Sequence, residues 1–305
     1  MSRLAFYDWK DWKTGSDRYM VKTVFIQFSR GQGRNLMFSN GHLLFIFISL
    51  VLIAAGTAAC KRKNLAVRRL LLICLVIALT SELIKTLGNI QIVPIVKPVV
   101  ENGKLIYRKT GAFTPFLEAE HYPFELCSYQ IVFIFLALAL KTREWRKRLY
   151  AVMYTTCIAG AGMGILFSSA AIGLTGIRDF VCSVQVWRAF LYHSMLVVLG
   201  LYIGMSKECD VRFRDVKYSF IAIIFLDAIT FYINSMMATP YYSGDTLVGV
   251  GNAINYFSSY NNPLGIAMTN KSQWFAYLVI RFVLAVVLMI LINLPLLRKE
   301  NGKAV

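Results

Sequence analysis

Charge is scarce in this sequence. Of its 305 residues, 16% are Asp, Glu, Lys or Arg, whereas 57% are hydrophobic. A soluble domain carries about 25% charged residues, so an ordinary soluble protein is excluded. Several apolar runs reach the ~18–20 residues that a helix needs to cross a bilayer. The sequence therefore predicts an all-α, polytopic membrane protein with a bundle of about seven transmembrane helices.

Motifs of familiar enzyme and metal sites are also missing. The six cysteines form no C-x-x-C pair and no zinc-like spacing, and the chain has three histidines. There is no G-x-S-x-G elbow, H-E-x-x-H, glycine-rich phosphate loop or dinucleotide fingerprint. We therefore expect no metal ion, no cofactor and no disulfide framework. Residues 1–41 also lack the features of a secretory signal peptide.

Acidic residues are fewer than basic ones, 16 against 33, which leaves a formal net charge of +17. No nucleic-acid-binding motif accompanies this charge, so nucleic acid is not an expected partner. In a membrane protein, basic loops fix the topology and contact anionic lipid headgroups. Membrane phospholipids are the expected partners, and the oligomeric state is left open.

Three regions are predicted. Residues 1–41 form an aromatic and basic tail on the membrane surface, 42–297 form the transmembrane domain, and 298–305 form a cytoplasmic C-terminal tail. An Asn102-Gly103 pair in the 88–121 connection predicts a β-hairpin. The seven predicted spans cover about 42–60, 66–87, 122–140, 149–172, 186–205, 218–237 and 274–297.

The distribution of Lys and Arg orients these spans. The connections after spans one, three and five are basic, and those after spans four and six carry few basic residues. We therefore expect a protein of the cell membrane. Positive-inside bias places its C-terminus in the cytoplasm and the 238–273 connection outside. The basic N-terminal tail and the 88–121 connection run against this bias.

One cysteine stands beside a histidine at the entrance of an apolar segment, in His121-Tyr-Pro-Phe-Glu-Leu-Cys127. Pro123 suits the first position of a helix, so we expect the third span to open at Tyr122. Cys127 would then lie in its second turn, where the positive end of the helix dipole favours a thiolate. The expected topology places His193 of span five at a similar depth.

Other polar residues fall within the predicted spans, where ionisable groups face one another or a cavity. They are Glu82, Arg188, Asp227 and Arg281. Two interpretations stay open for them. Glu82–Lys85 and Asp227–Arg281 are either structural ion pairs, or the charged residues contact a substrate, with Arg188 or Arg281 holding a lipid phosphate.

A thiolate with a histidine base is suited to acyl transfer through a thioester. A nucleophile just inside the outer leaflet would meet the ester carbonyls of glycerolipids. The base is either His121 or His193. We expect His193, because a residue within a span is held in a defined geometry.

The residues Thr114–Cys127 resemble the H-x-P-x-x-L-C signature of the YwaF / transmembrane protein 164 family of integral membrane acyltransferases. Leu191-Tyr-His193 is similar to the second histidine motif of that family, and Asn255-Tyr256 to its third block. The resemblance implies a similar order of spans over residues 42–297. It also implies that Cys127 is an acyl-enzyme nucleophile, with His121 or His193 as its partner.

The sequence thus predicts a thiol-dependent acyltransferase or transacylase that acts on glycerophospholipid acyl chains. One phospholipid would donate the acyl group and a lysolipid would accept it. Candidate substrate-binding residues are Arg188, Arg281, Asn255, Tyr256, Asp227 and Glu82. The alternative is a transporter or permease, in which Glu82, Asp227 and Arg281 would line a polar path.

Overall fold

The computed structural model describes residues 38–301, except 102–103, 169, 171–173, 175, 244–245, 252–255 and 257–270. In this part of the chain six helices are long and apolar enough to cross a membrane, and a seventh apolar helix is shorter. The prediction of an all-α, multi-pass membrane protein is confirmed. Most of the predicted N-terminal tail and residues 302–305 lie outside the described residues.

The elements follow in chain order, with two short antiparallel hairpins between helices. They are α1 (Asn40–Arg62), α2 (Val67–Asn89), β1 (Gln91–Glu101), β2 (Lys104–Phe116), α3 (Leu126–Ala139), α4 (Arg143–Leu166), α5 (Ile177–Cys182), α6 (Val184–Met205), α7 (Val216–Met237), β3 (Thr239–Ser243), β4 (Thr246–Gly251) and α8 (Lys271–Asn301).

The centre of the bundle is the antiparallel pair of α4 and α6, the two most buried of the long helices. Helix α6 also packs on α1 and α2, while α4 packs on α3, α7 and α8. Gly200 and Gly204 of α6 allow this close approach. A side chain at Gly204 would overlap the Tyr154 ring, and a Cβ at Gly200 would come within 2.9 Å of Ile158. Small residues commonly allow such contact between membrane helices.

Buried polar side chains connect the peripheral helices to α4. The Ser219 hydroxyl of α7 lies 3.0 Å from the Thr155 hydroxyl, and Asn293 of α8 donates to the same Thr155 oxygen at 3.1 Å. On α3, the Gln130 amide donates to the Thr156 hydroxyl at 2.9 Å. These bonds satisfy polar groups that would be costly to leave unpaired in an apolar interior.

Helix α3 is the exception among the spans. It has 14 residues, which extend about 21 Å at 1.5 Å per residue. The hydrocarbon core of a bilayer is ~30 Å thick. The segment from Tyr122 to Glu125 precedes the helix, and a 3₁₀ turn covers Ala119–His121. The expected helix start at Tyr122 is therefore wrong: the helix begins at Leu126.

The hairpin predicted from Asn102-Gly103 is confirmed, since β1 and β2 pair antiparallel on either side of these two residues. A second hairpin, β3–β4, was not predicted. Both hairpins lie at the same end of the bundle as the start of α3. We call this end the hairpin side and the opposite end, which carries Lys61–Lys63 and Lys141–Arg148, the basic side.

Outside the spans, a small charged cluster forms on the basic side. The Asp210 carboxylate accepts a hydrogen bond from Lys147 at 2.9 Å and another from Arg212 at 3.0 Å. The hydrogen bond from Lys147 is the main reason that the pKa of Asp210 falls to about 2. This cluster joins the start of α4 to the connection between α6 and α7.

Candidate functional site

Cys127 occupies the first turn of α3, with Glu125 at the N-cap position. It is half-buried and carries a free thiol, whereas Cys74, Cys157 and Cys209 are buried. Since the helix starts four residues later than expected, Cys127 is closer to the N-terminal end than the sequence suggested. No side chain caps this end of the helix, so the N–H groups of the first turn are available to a ligand.

The thiol has a carboxylate neighbour. The Cys127 Sγ–H donates to Glu125 Oε2 at 3.8 Å. Sequence reasoning assigned no role to Glu125, although it lies two residues before the cysteine. Its position at the N-cap, directly before the first turn, is the signal that could have identified it.

Tyr192 of α6 fixes the position of the cysteine backbone. Its hydroxyl donates to the Cys127 carbonyl oxygen at 2.7 Å, and its side chain is 5% exposed. This bond joins α6 to the first turn of α3. Tyr192 was also missed, although it directly precedes His193 in the sequence.

His193 points toward α4. Its Nδ1–H donates to the Ala189 carbonyl oxygen at 2.7 Å, which leaves the lone pair on Nε2. Within the described chain Nε2 is buried and has no hydrogen-bond partner. A neutral imidazole in this tautomer has the acceptor nitrogen that a general base requires.

Two glycines of α4 place His193 and the start of α3 on one helix face. Leu126, next to Cys127, packs over Gly160, and the His193 ring packs over Gly164. These glycines are four residues apart, so the two contacts are about 6 Å apart along α4. His193 therefore contacts α4 about one helical turn nearer the hairpin side than Leu126 does.

A charged group lies beside this site on α2 and α6. Lys85 forms an ion pair with Glu82 at 2.5 Å, as the structural interpretation proposed. Arg188 donates to the Gln185 side chain at 2.9 Å and to the Ser81 hydroxyl at 3.4 Å. Lys85, Glu82 and Arg188 all act electrostatically on Glu125.

The other predicted ion pair joins α7 to α8, since Arg281 Nη2 lies 2.6 Å from Asp227 Oδ2. Both side chains are largely buried, at 21% and 26% exposure. Arg281 also lies over the Phe231 ring, 5.6 Å from its centroid. The structure thus has both ion pairs that the sequence suggested.

Tyr256 contacts the segment that leads into α3. Its hydroxyl donates to the Ala119 carbonyl, and its backbone carbonyl accepts a hydrogen bond from Asn234 of α7 at 3.2 Å. Its ring packs edge-to-face with Phe124, 5.7 Å between centroids. Asn255 lies outside the described residues. Tyr256 thereby fixes the approach to Cys127.

His121 ends the 3₁₀ turn before α3, where its backbone N–H donates to the Glu118 carbonyl at 2.9 Å. The third histidine, His42, is buried on α1. Its Nε2–H donates to the Ile165 carbonyl at 3.0 Å, at the end of α4. His42 thus fixes the α4 segment that receives the His193 ring, a role that sequence reasoning did not assign.

The described residues include no group of three His, Cys, Asp or Glu side chains arranged to hold a metal ion. The groups that this site does offer are a thiol, a carboxylate, an imidazole acceptor and uncapped helix N–H donors. These can form a covalent acyl intermediate and stabilise an oxyanion.

Fold and site together define a multi-pass membrane protein with a candidate thiol nucleophile at the start of a short helix. A sequence model of the TMEM164 family matches residues 37–293, and the chain belongs to that family. No curated protein and no solved structure matches the chain.

Proposed function

We propose that this protein is a thiol-dependent acyltransferase or transacylase that acts on glycerophospholipid acyl chains in the membrane. The observation that carries the proposal is the position of Cys127. Its thiol is half-buried in the uncapped first turn of α3 and is bonded to a carboxylate. An unpaired imidazole nitrogen faces the adjoining helix.

In the first half-reaction the Cys127 sulfur attacks the ester carbonyl of a phospholipid. The thiol proton moves to the base, for which His193 is the leading candidate and His121 the alternative. A C–S bond forms, the ester C–O bond breaks, and the lysolipid leaves with the proton. The N–H groups at the start of α3 are suitably placed to stabilise the oxyanion.

In the second half-reaction the hydroxyl of a lysolipid attacks the thioester, which restores the thiol and releases a remodelled phospholipid. Water in place of the lysolipid would turn the transfer into hydrolysis. Membrane phospholipids are therefore both the acyl donors and, as lysolipids, the acceptors.

Arg188 is a better candidate than Arg281 to hold the lipid phosphate. The hydrogen-bond partners of Arg188 are the uncharged Gln185 and Ser81. The charge of Arg281 is neutralised at 2.6 Å by Asp227. A phosphate gains most from a guanidinium that has not already paired with a carboxylate.

We assign the protein to the cell membrane with its hairpin side outside and its C-terminus in the cytoplasm, because the basic side carries the cytoplasmic charge bias. A membrane-impermeant maleimide tests this orientation in intact cells. A Tyr241→Cys variant should be labelled and Glu144→Cys should not, above the background of the unmodified chain. The reverse pattern would move the site to the inner leaflet.

The test of the reaction is capture of the acyl-enzyme. Purified protein in detergent is incubated with a phospholipid that carries a labelled acyl chain, and the label on the protein is measured before and after hydroxylamine treatment. We expect a hydroxylamine-sensitive label that is lost in Cys127→Ser. The controls are Cys157→Ser, buried nearby, and Cys182→Ser, which is exposed.

A label that persists in Cys127→Ser would remove this residue from the mechanism. The alternative of a transporter predicts no acyl label in any variant. The Asp227–Arg281 pair, which that alternative would use as an ion path, consists of two charges that neutralise each other.

A further inference from the structure

The β1–β2 hairpin lies between the end of α2 and the segment that leads into α3. Its main packing is between its own two strands. Large apolar side chains on it are exposed although the hairpin is not part of a transmembrane helix. Exposed apolar groups of this kind mark a surface that another molecule or a membrane covers.

One face of the hairpin is apolar. Ile92, Val96 and Val100 alternate along β1, and alternate residues of a strand point to the same face. On β2 the residue paired with Pro94 is Phe113 and the residue paired with Pro98 is Tyr107, which places both on this face. Ile92 is 67% exposed, Val100 69%, Tyr107 65% and Phe113 66%.

The other face carries charged residues in its outer half, with the apolar Val99–Ile106 pair between them. Lys97 pairs with Arg108, and Arg108 also forms an ion pair with Glu101 on the neighbouring strand. Lys109 apart, the charged residues of the hairpin therefore all lie on this second face.

The edges of this hairpin do not favour pairing with a further strand. Pro94 and Pro98 lie on β1 and Pro115 on β2, and proline has no N–H to donate to a neighbouring strand. The apolar face also carries Lys109, opposite Val96. Two copies packed through this face would bring two of these lysines together, whereas lipid phosphates would pair with them.

The base of the hairpin directly follows the end of a membrane-spanning helix. Strand β1 begins at Gln91, two residues after α2 ends at Asn89. We propose that the β1–β2 hairpin lies on the membrane surface beside the entrance to α3, with its apolar face among the lipid headgroups. The members of this face are Ile92, Val96, Val100, Tyr107 and Phe113, and Lys109 contacts anionic phosphates. This proposal does not depend on the acyl-transfer reaction.

The test uses two positions of β1 on opposite faces. Val100→Cys and Lys97→Cys are made in a chain whose Cys60, Cys127 and Cys182 are serine, since the remaining cysteines are buried. Each variant is labelled with a polarity-sensitive fluorophore and reconstituted into vesicles of phosphatidylcholine and phosphatidylglycerol. Emission is compared with and without a lipid that carries a quencher near its headgroup.

We expect the label at position 100 to emit at shorter wavelength and to lose most of its intensity to the quenching lipid. The label at position 97 should keep most of its intensity. Tyr107→Cys and Arg108→Cys form a second matched pair on β2, in case either β1 variant does not fold. In vesicles of phosphatidylcholine alone, quenching at position 100 should weaken, because Lys109 would lack anionic partners.

Equal emission and equal quenching on the two faces would overturn the proposal. Efficient crosslinking of two chains through position 100, without quenching, would assign the apolar face to a second copy of the protein instead. Because these variants already lack Cys127, neither outcome depends on whether the protein transfers acyl groups.

Discussion

The role of His193 can be tested without changing the histidine, by adding one methyl group at Gly164. A Cβ at this position would lie 2.5 Å from His193 Nε2 and 2.6 Å from Cδ2. The ring cannot simply rotate away, because its Nδ1–H is bonded to Ala189 on its own helix at 2.7 Å. In Gly164→Ala either the imidazole must shift or α4 and α6 must separate.

The size of the shift follows from these distances. Ordinary contact for a Cβ begins at 3.4 Å, so 3.4 − 2.5 = 0.9 Å of displacement is needed at Nε2. A misplacement of about 1 Å in a catalytic constellation can cost about 10²-fold in rate. That loss corresponds to about 2.7 kcal/mol in the activation free energy. We therefore expect Gly164→Ala to slow thioester formation at Cys127 by about this factor.

Gly162 offers a matched control on the same helix. A Cβ there would meet nothing within 4 Å, and replacing glycine by alanine in a helix changes the intrinsic propensity equally at both positions. The assay is the rate of acyl-enzyme formation in detergent, with the thermal unfolding transition measured in parallel. If Gly164→Ala folds and reacts as fast as Gly162→Ala, the position of the His193 imidazole does not govern the reaction.

Three further predictions concern other charged or titratable groups. His193→Ala should lower the rate of thioester formation by about 10²–10⁴-fold, the usual contribution of a positioned base, and His121→Ala should have a smaller effect; the opposite ranking would make His121 the base. Breaking a buried ion pair by removing one partner costs about 3–5 kcal/mol. Asp227→Ala and Arg281→Ala should therefore each lower the unfolding temperature by more than half of the decrease seen in the double variant. If the decreases of the two single variants add up to that of the double variant, the pair does not stabilise the bundle. The pKa of Asp210 in the folded protein is about 2, below the ordinary value of about 3.9, so its ion pairs stabilise the fold above that ordinary value and are lost as the pH falls toward 2. Asp210→Asn should therefore lower the unfolding temperature at pH 7. The difference in unfolding temperature between this variant and the unmodified protein should shrink as the pH falls toward 2, and a constant difference would contradict the prediction.

The long helices could be predicted from the sequence because their cause is local. An uninterrupted apolar run must form its backbone hydrogen bonds within itself in a membrane, so the run defines the helix. Span one, expected at 42–60, is α1 at Asn40–Arg62. Helix α4 begins six residues before the expected 149. The added residues, 143–148, are mostly basic and lie outside the apolar run, yet they are helical.

The start of α3 could not be predicted in the same way. The sequence predicts a first turn at Tyr122-Pro-Phe, because proline is tolerated there. In the structure the Tyr256 hydroxyl binds the Ala119 carbonyl and the Tyr256 ring packs on Phe124. Those contacts come from a residue more than one hundred positions away, and no local pattern contains them.

For the site, the sequence indicates candidate residues but not their surroundings. Cys127 and His193 are candidates by residue type and stay predictions. Glu82–Lys85 and Asp227–Arg281 are ion pairs under one of the two interpretations of the charged residues, and the structure has both pairs. Glu125 and Tyr192 were missed because their roles depend on what lies opposite them. The hydroxyl of Tyr192 reaches the Cys127 carbonyl from another helix. A sequence gives the residue type of such a side chain but not the direction in which its helix presents it.

The charges around the thiol constrain how it can react. Lys85 already pairs with Glu82, and the Glu125 carboxyl lies beside the thiol. A free thiolate would add a further negative charge in a region of low polarity, where such a charge is costly. In the proposed reaction, removal of the proton would therefore accompany attack on the carbonyl, so that the negative charge forms on an oxyanion near the α3 N–H groups. An enzyme of this design would keep its nucleophile unreactive until an ester carbonyl is in place.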